Sequence, residues 1–310
     1  MAYEFSYSPT ITKSELYSNL VSGKFDCIFT NPNKQNFMLD AEVLKNTNVK
    51  IICTASTGTN HIDKKYCDEN DIEIISITDD HDVIDKISST AEHSLALMLS
   101  LIRNIPIGFH SVRDGNWDWG PYVGRQMNSL TIGIIGYGRL GKLMAKYCHA
   151  LGMTVLVYDP YDHMAQWAVG NTDATTYSIH VDMFSVELEE LFNRSDVISL
   201  HVHVTDETRE MINRHSISQM NNSPYLINTS RGEIVNEADV IDGLNNGKLT
   251  GYATDVVVDE FSDIRNSKLV KESIEPNKNI IITPHIAGMT TEAREIAYNL
   301  AVDKLEKRYG

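Results

Sequence analysis

No run of about 18 apolar residues occurs anywhere in this 310-residue chain, so no segment reads as a membrane span. Cysteine is scarce and scattered. Cys27, Cys53, Cys67 and Cys148 form no Cys-x-x-Cys pair, which argues against a metal site. Cys27 and Cys53 sit inside apolar strand-like runs and read as buried thiols. Low-complexity tracts and repeats of solenoid period are lacking as well. The shortage with the widest consequence is positive charge. Lys and Arg number 27 against 42 Asp and Glu, a formal net charge of −15 and a pI near 5.1. Nucleic acid and anionic membranes are therefore excluded as expected partners on electrostatic grounds. A small anion could still bind at a locally positive site, because salt screens exposed charges beyond roughly 8 Å. Met1-Ala2-Tyr3-Glu4-Phe5 lacks the basic-then-apolar order of a signal peptide, so the expected location is the cytoplasm.

What is present is ordinary globular composition, 42 % hydrophobic and 22 % charged, at a length that suggests about two domains. Short apolar runs alternate with helical patterns. Phe25–Thr30, Val49–Thr54 and Ile72–Ile77 read as strands, with helices over Lys13–Val21, Leu39–Lys45 and Asp63–Asn70. Such alternation predicts a parallel sheet with crossover helices. A nearly all-round apolar helix follows over Thr90–Arg103, capped by Thr90 and ended by Pro106. Residues 108–128 hold Trp117, Trp119 and several glycines with weak periodicity, and read as an irregular arm. A second series begins near Leu130, with strands at Thr131–Ile135, Thr154–Tyr158, Val197–His201, Tyr225–Asn228 and Gly251–Val256, and another near Ile280–Ile282. The last helix, Thr290–Arg308, is expected to return to the first domain. The expected division is 1–100 with 287–310, and 101–286.

Gly136-Tyr137-Gly138-Arg139-Leu140-Gly141 is a G-x-G-x-x-G fingerprint in its proper context, with a buried strand before it and a helix after it. Gly136 permits the tight turn, Gly138 lets the backbone approach a pyrophosphate, and Gly141 lets the helix pack on the strand. The helix N-terminus then offers N–H groups and partial positive charge to phosphates. Asp159 closes the next strand, where a carboxylate accepts hydrogen bonds from ribose hydroxyls and repels a 2′-phosphate. No Lys or Arg lies between Tyr147 and Asn193, so the coenzyme expected is NAD rather than NADP.

Three short segments downstream carry chemistry: Arg231 in Asn228-Thr229-Ser230-Arg231-Gly232, Glu260 after Asp255, and His285 in Thr283-Pro284-His285. A cation, a carboxylate and an imidazole, each beside a strand end, suit movement of a hydride and a proton on an anionic substrate. Singly, each has an ordinary explanation as a loop histidine, a surface ion-pair partner or a solvated acidic face. His201 and His203 alternate on a strand without a carboxylate or cysteine at ligand spacing. Packing explains them better than a metal does, as it does His81 and His93, and no metal site is expected.

From about residue 49 to 305 the chain resembles the D-isomer-specific 2-hydroxyacid dehydrogenases. The match runs through Ser56-Thr57-Gly58-Thr59-Asn60-His61-Ile62-Asp63, Thr90-Ala91-Glu92-His93, the fingerprint, Ser195–Val202, Asn228–Gly232, Asp255–Glu260 and Asn279–Thr290. The resemblance implies an α/β fold of two Rossmann/flavodoxin-like domains with parallel sheets and an active site in the interdomain cleft. By the same resemblance, residues 1–100 and 287–310 form the substrate-binding domain and 101–286 the NAD-binding domain. It also implies reduction of a small anionic 2-keto acid, or oxidation of its D-2-hydroxy acid. His285 would be the acid/base. Glu260 would hydrogen-bond its ring and fix its tautomer. Arg231 would grip the substrate carboxylate with a planar fork that Lys could not mimic. Thr57 and Gly58 would bind the same carboxylate through the backbone, with Arg231 and His285 completing the substrate contacts. Thr229 and Asp255 would join the fingerprint at the coenzyme. The family suggests a homodimer through the NAD-binding domains and a 104–129 arm.

Two departures stand out. Phe261 follows Glu260 where the family commonly has proline, and Thr78–Ile87 is longer and more acidic than the usual link. Glu rather than Gln at 260 argues against a formate-type enzyme. Competing readings are a 3-phosphoglycerate dehydrogenase, a small-oxyanion dehydrogenase of the phosphite type, and a non-catalytic NAD-sensing corepressor scaffold.

Overall fold

The computed structural model describes residues 4–31, 37–161, 183–258, 260–275 and 278–309. Met1–Tyr3, most of the Lys- and Arg-free stretch after Tyr161, and Asp259 in the acidic run lie outside them. The chain divides into two compact units, Met1–Ile87 with Gly288–Gly310, and Ser88–Ala287.

In the first unit, strands β1 (Cys27–Thr30), β2 (Ile51–Thr54) and β3 (Glu73–Ile75) form a parallel sheet in the order β1-β2-β3. The helices begin where the sequence supplies caps. Helix α1 (Lys13–Val21) starts with a capping box between Thr12 and Glu15. Asp40 and Asp63 cap α2 (Ala41–Leu44) and α3 (Lys64–Glu69). The segment expected to be an acidic link folds as α4 (His81–Ile84), and Asp80 before it pairs with Lys304 at 2.6 Å. Lys304 belongs to the last helix, Thr291–Tyr309, whose Ala297 and Ala301 pack with Ile51, Cys53 and Ile75. Burial pushes the Cys53 thiol up to about 12 and Cys27 up to about 11, which keeps both protonated and inert.

The second unit opens with α5 (Ser89–Ile102). Its N-cap is Ser88, not Thr90, and Ser88 Oγ donates to Glu92 Oε1 at 2.5 Å. The compact unit starts at Ser88, ahead of the expected boundary at residue 100. Leu97, Met98, Leu101 and Ile102 are buried with Leu130, Ile132, Ile134 and Met144, so the whole helix belongs to the second unit. Periodicity alone could not assign it, because a helix apolar nearly all round does not say which core it joins. The arm is also more regular than expected. Helix α6 (Ile105–Arg113) follows a left-handed Asn104, with Pro106 in its first turn, where a missing N–H costs nothing.

Beyond the arm, β4 (Thr131–Ile135), α7 (Arg139–Ala150) and β5 (Thr154–Tyr158) form the predicted βαβ unit. The remaining strands are β6 (Met183–Ser185), β7 (Val197–Leu200), β8 (Tyr225–Asn228), β9 (Gly251–Thr254) and β10 (Ile280–Ile282). Among the described residues they make a seven-stranded, wholly parallel sheet in the order β10-β9-β8-β7-β4-β5-β6. β7, β8 and β9 are buried at every position, as parallel strands covered on both faces must be. The order reverses between β4 and β7, and ligands bind outside the carboxyl ends of strands at such a switch point. Gly136, Asp159, His201, Thr229 to Arg231, Asp255 and Thr283 to His285 all follow strand carboxyl ends. Among the described residues no single helix is long and apolar enough to cross a membrane.

Candidate active site

The fingerprint turn is built by close backbone approach. Gly136 has φ +91°, and a Cβ there would meet His201 O at 2.6 Å. A Cβ at Gly141 would overlap Gly136 O, so α7 rests directly on the turn. Gly138 is the opposite case, with no heavy atom within 4 Å of where its Cβ would lie. It is also the N-cap of α7 without a side-chain cap. An open position at an uncapped helix N-terminus suits a pyrophosphate. Asp159 accepts from Tyr137 N–H at 2.7 Å and from Tyr161 N–H at 2.9 Å, which fixes its carboxylate against the fingerprint. Burial holds the His201 ring down at about 4, and its Nε2 lies 2.9 Å from Ser199 Oγ. It is therefore a neutral packing residue at pH 7.

Glu260 and His285 meet as expected. His285 Nδ1 lies 2.7 Å from Glu260 Oε2. Since the carboxylate can only accept, Nδ1 carries a proton, and Nε2 is the ring position for proton exchange. The imidazole keeps 32 % of its side-chain surface exposed, enough for a substrate to reach it. Its backbone is left-handed at φ +52°, an uncommon state for a residue with a Cβ.

That conformation is held by Asp255. Its carbonyl accepts His285 N–H at 3.0 Å. Its carboxylate accepts Thr283 Oγ1 at 2.5 Å, Ile286 N–H at 2.9 Å and Ala287 N–H at 2.7 Å. Burial pushes this carboxyl up, but these donors together with His93 outweigh it and hold the group below its ordinary value. Thr229, also expected at the coenzyme, is buried with its Oγ1 2.6 Å from Ser94 Oγ. In this arrangement both side chains are engaged in ordering strand ends.

Arg231 leaves the end of β8 with its Nη1 donating to Ser230 O at 2.6 Å. Asn228 shapes the turn, accepting Ser230 N–H at 3.0 Å and donating to Arg231 O at 2.8 Å. Burial pushes the guanidinium down from its ordinary range, while the Glu260 and Glu233 carboxylates push it back up. It remains a cation in a negatively charged protein, beside the carboxylate that holds the imidazole.

The Thr57-Gly58 loop belongs to the first unit and is ordered through its carbonyls. Ile77 N–H donates to Ser56 O at 3.4 Å, Thr78 Oγ1 to Thr57 O at 2.8 Å, and Ser56 Oγ to Gly58 O at 2.6 Å. Among the described residues the N–H groups of Thr57 and Gly58 donate to no protein acceptor, which suits them to an anion.

Sequence reasoning missed His93, Thr283 and Gly232. The signals available were the Thr-Ala-Glu-His start of α5 and the threonine two residues before His285.

The model of the D-isomer specific 2-hydroxyacid dehydrogenase NAD-binding domain matches residues 95–287. Glycerate dehydrogenase of Methylorubrum extorquens is 32 % identical over 309 residues, covering 97 % of this chain and 87 % of that protein. D-3-phosphoglycerate dehydrogenase of Archaeoglobus fulgidus is 34 % identical over 83 % of this chain, which spans only 45 % of that longer protein. The crystal structure of D-lactate dehydrogenase from Aquifex aeolicus with NAD and lactic acid superposes with a TM-score of 0.76 at 31 % identity, covering 96 % of this chain and 84 % of that one. The chain belongs to the D-isomer specific 2-hydroxyacid dehydrogenase family.

Proposed function

We propose that this protein is an NAD-dependent oxidoreductase that interconverts a small 2-keto acid and its D-2-hydroxy acid. The observation that carries the reading is the His285–Glu260 pair, 2.7 Å apart, at the carboxyl edge of a sheet that also presents the dinucleotide turn. NAD would be held by Gly136, Tyr137, Gly138, Arg139, Leu140, Gly141 and Asp159, and when bound it supplies the hydride donor or acceptor. Thr229 and Asp255 serve that site through the strand ends they order.

Arg231 binds the substrate carboxylate and turns the keto oxygen toward the imidazole. As the carbonyl carbon is reduced, negative charge develops on its oxygen, and Nε2 of His285 delivers a proton there. In the reverse direction Nε2 takes the hydroxyl proton. Glu260 keeps Nδ1 protonated throughout, so the exchanging proton always sits on the substrate side of the ring. The N–H groups of Thr57 and Gly58 are proposed as further carboxylate contacts.

The test is a spectrophotometric screen at the NADH absorbance with glyoxylate, pyruvate, hydroxypyruvate, 2-oxoglutarate and 3-phosphohydroxypyruvate. Turnover of at least one is expected. Tight NADH binding with no turnover of any would support the scaffold reading instead. Asp159→Ser is expected to weaken NADH about tenfold and to raise the relative preference for NADPH, read by fluorescence titration of both coenzymes. An unchanged preference would refute the ribose assignment.

The working form is proposed to be a cytoplasmic homodimer. Ile105, Phe109, Val112, Trp117, Trp119 and Val123 all lie in the arm with more than half of their surface exposed. An apolar surface of this kind is a reason for self-association. Sedimentation velocity should show a species of about twice the 34.9 kDa chain mass; a single monomeric species at micromolar concentration would remove the proposal.

A further inference from the structure

His93 looks like an ordinary packing residue on α5, yet its hydrogen bonds lead to the turn that carries His285. Its Nε2 lies 2.9 Å from Thr283 Oγ1 and 3.5 Å from Asp255 Oδ1. The Thr283 hydroxyl has one proton, and it points to Asp255 Oδ1 across 2.5 Å. Toward His93 the threonine oxygen can therefore only accept. That assigns a proton to His93 Nε2 and a direction to the chain: imidazole to hydroxyl to carboxylate. Asp255 ends the chain, and its side chain is fully buried. It grips Thr283, two residues before His285, and the N–H groups of Ile286 and Ala287, the two residues after it.

We propose that His93 is a positioning residue for His285, acting through Thr283 and Asp255 to hold the left-handed turn that aims the acid/base imidazole. The proposal rests on the acid/base reading of His285 given above. A left-handed residue with a Cβ relaxes unless its surroundings hold it. Here backbone carbonyls of Asp255 and Thr283 take His285 N–H, the Asp255 carboxylate takes the groups on either side of it, and the orientation of that carboxylate depends on where its Oδ1 is drawn. His93 and Thr283 draw it toward α5. The sequence of contacts explains why a helix that forms much of the unit's core presents a histidine and not another leucine at this position.

The experiment uses the full chain with ¹⁵N-labelled histidine. In the unmodified protein, ring spectra should place a proton on His93 Nε2 and a hydrogen-bonded proton on His285 Nδ1. Thr283→Val and His93→Leu should each shift or broaden the signals of the His285 ring, whose Nδ1 is bonded to Glu260. With the keto acid from the panel that is turned over, both variants should lower kcat about tenfold while the dissociation constant for NADH stays within twofold. His93→Gln, which keeps a donor near the Nε2 position, should recover most of the rate. The double variant should lose no more than either single one, because both break the same chain. Should His93→Leu fail to fold, Thr283→Val and His93→Gln decide the matter alone.

Unchanged His285 signals in Thr283→Val, a proton solely on His93 Nδ1, or an NADH affinity that falls as far as kcat would each overturn the proposal. Its failure is separable from failure of the acid/base reading. Turnover surviving in His285→Ala would end the latter, while the ring spectra would still report whether His93 orients the turn.

Discussion

His285→Ala is expected to lower kcat for the accepted keto acid by about 10³-fold, roughly 4 kcal/mol of barrier, while NADH binding survives. The asymmetry follows from where the histidine sits. The coenzyme's proposed contacts gather at the fingerprint turn after β4 and at Asp159 after β5, whereas His285 follows β10 at the far edge of the same sheet. Removing its ring takes away a proton donor without touching the phosphate-binding turn. It also leaves the turn itself in place, because Asp255 bonds to the backbone of residues 285 to 287 and to Thr283, not to the imidazole. Glu260→Ala should cost less, about tenfold, since the imidazole remains but loses the partner that orients it. Steady-state assays paired with NADH fluorescence titrations check both. If His285→Ala loses coenzyme affinity in the same proportion as turnover, the histidine is structural and the acid/base assignment fails.

Much of this could be read from the sequence, for identifiable reasons. Buried parallel strands are short apolar runs, so β4, β5 and β8 were found to the residue and β10 to its neighbourhood. The fingerprint was legible because backbone crowding leaves only glycine at Gly136 and Gly141, and the crowding atoms, His201 O and Gly136 O, are there. Other features had no one-dimensional signal. β6 is three residues long with two of them exposed, so it lacks the apolar run that marks its neighbours. Asp255 was expected at the coenzyme because its place in the motif gives only its neighbourhood. That its carboxylate is consumed by N–H groups at 286 and 287 depends on a turn whose φ at His285 no residue pattern announces. His93 and Thr283, 190 residues apart, are joined only by tertiary packing.

Gly232→Ala should be the next most damaging change, although the residue has no functional group. A Cβ there would overlap the Val257 carbonyl and come within 2.5 Å of Val258 N. Backbone atoms cannot swing aside as a flexible side chain can. Nor can the facing segment simply retreat, because Val258 N–H donates to Glu237 Oε1 at 3.0 Å. One of two strands of chain must therefore move. On one side is Arg231, the residue immediately before the glycine; on the other is Glu260, shortly after Val258. Either displacement pulls the proposed carboxylate grip away from the imidazole's partner. A shift of about 1 Å in such a constellation costs on the order of 10²-fold in rate. The overpacking itself should destabilise the fold by roughly 1–3 kcal/mol. The expected variant is therefore folded, somewhat less stable, and about 10²-fold lower in kcat/KM, with coenzyme affinity close to normal because the fingerprint turn lies elsewhere. Thermal unfolding, NADH titration and steady-state kinetics separate these effects. Near-normal kcat/KM would mean that Arg231 and Glu260 need not be held at this spacing, and the proposed division of labour between them would have to be abandoned.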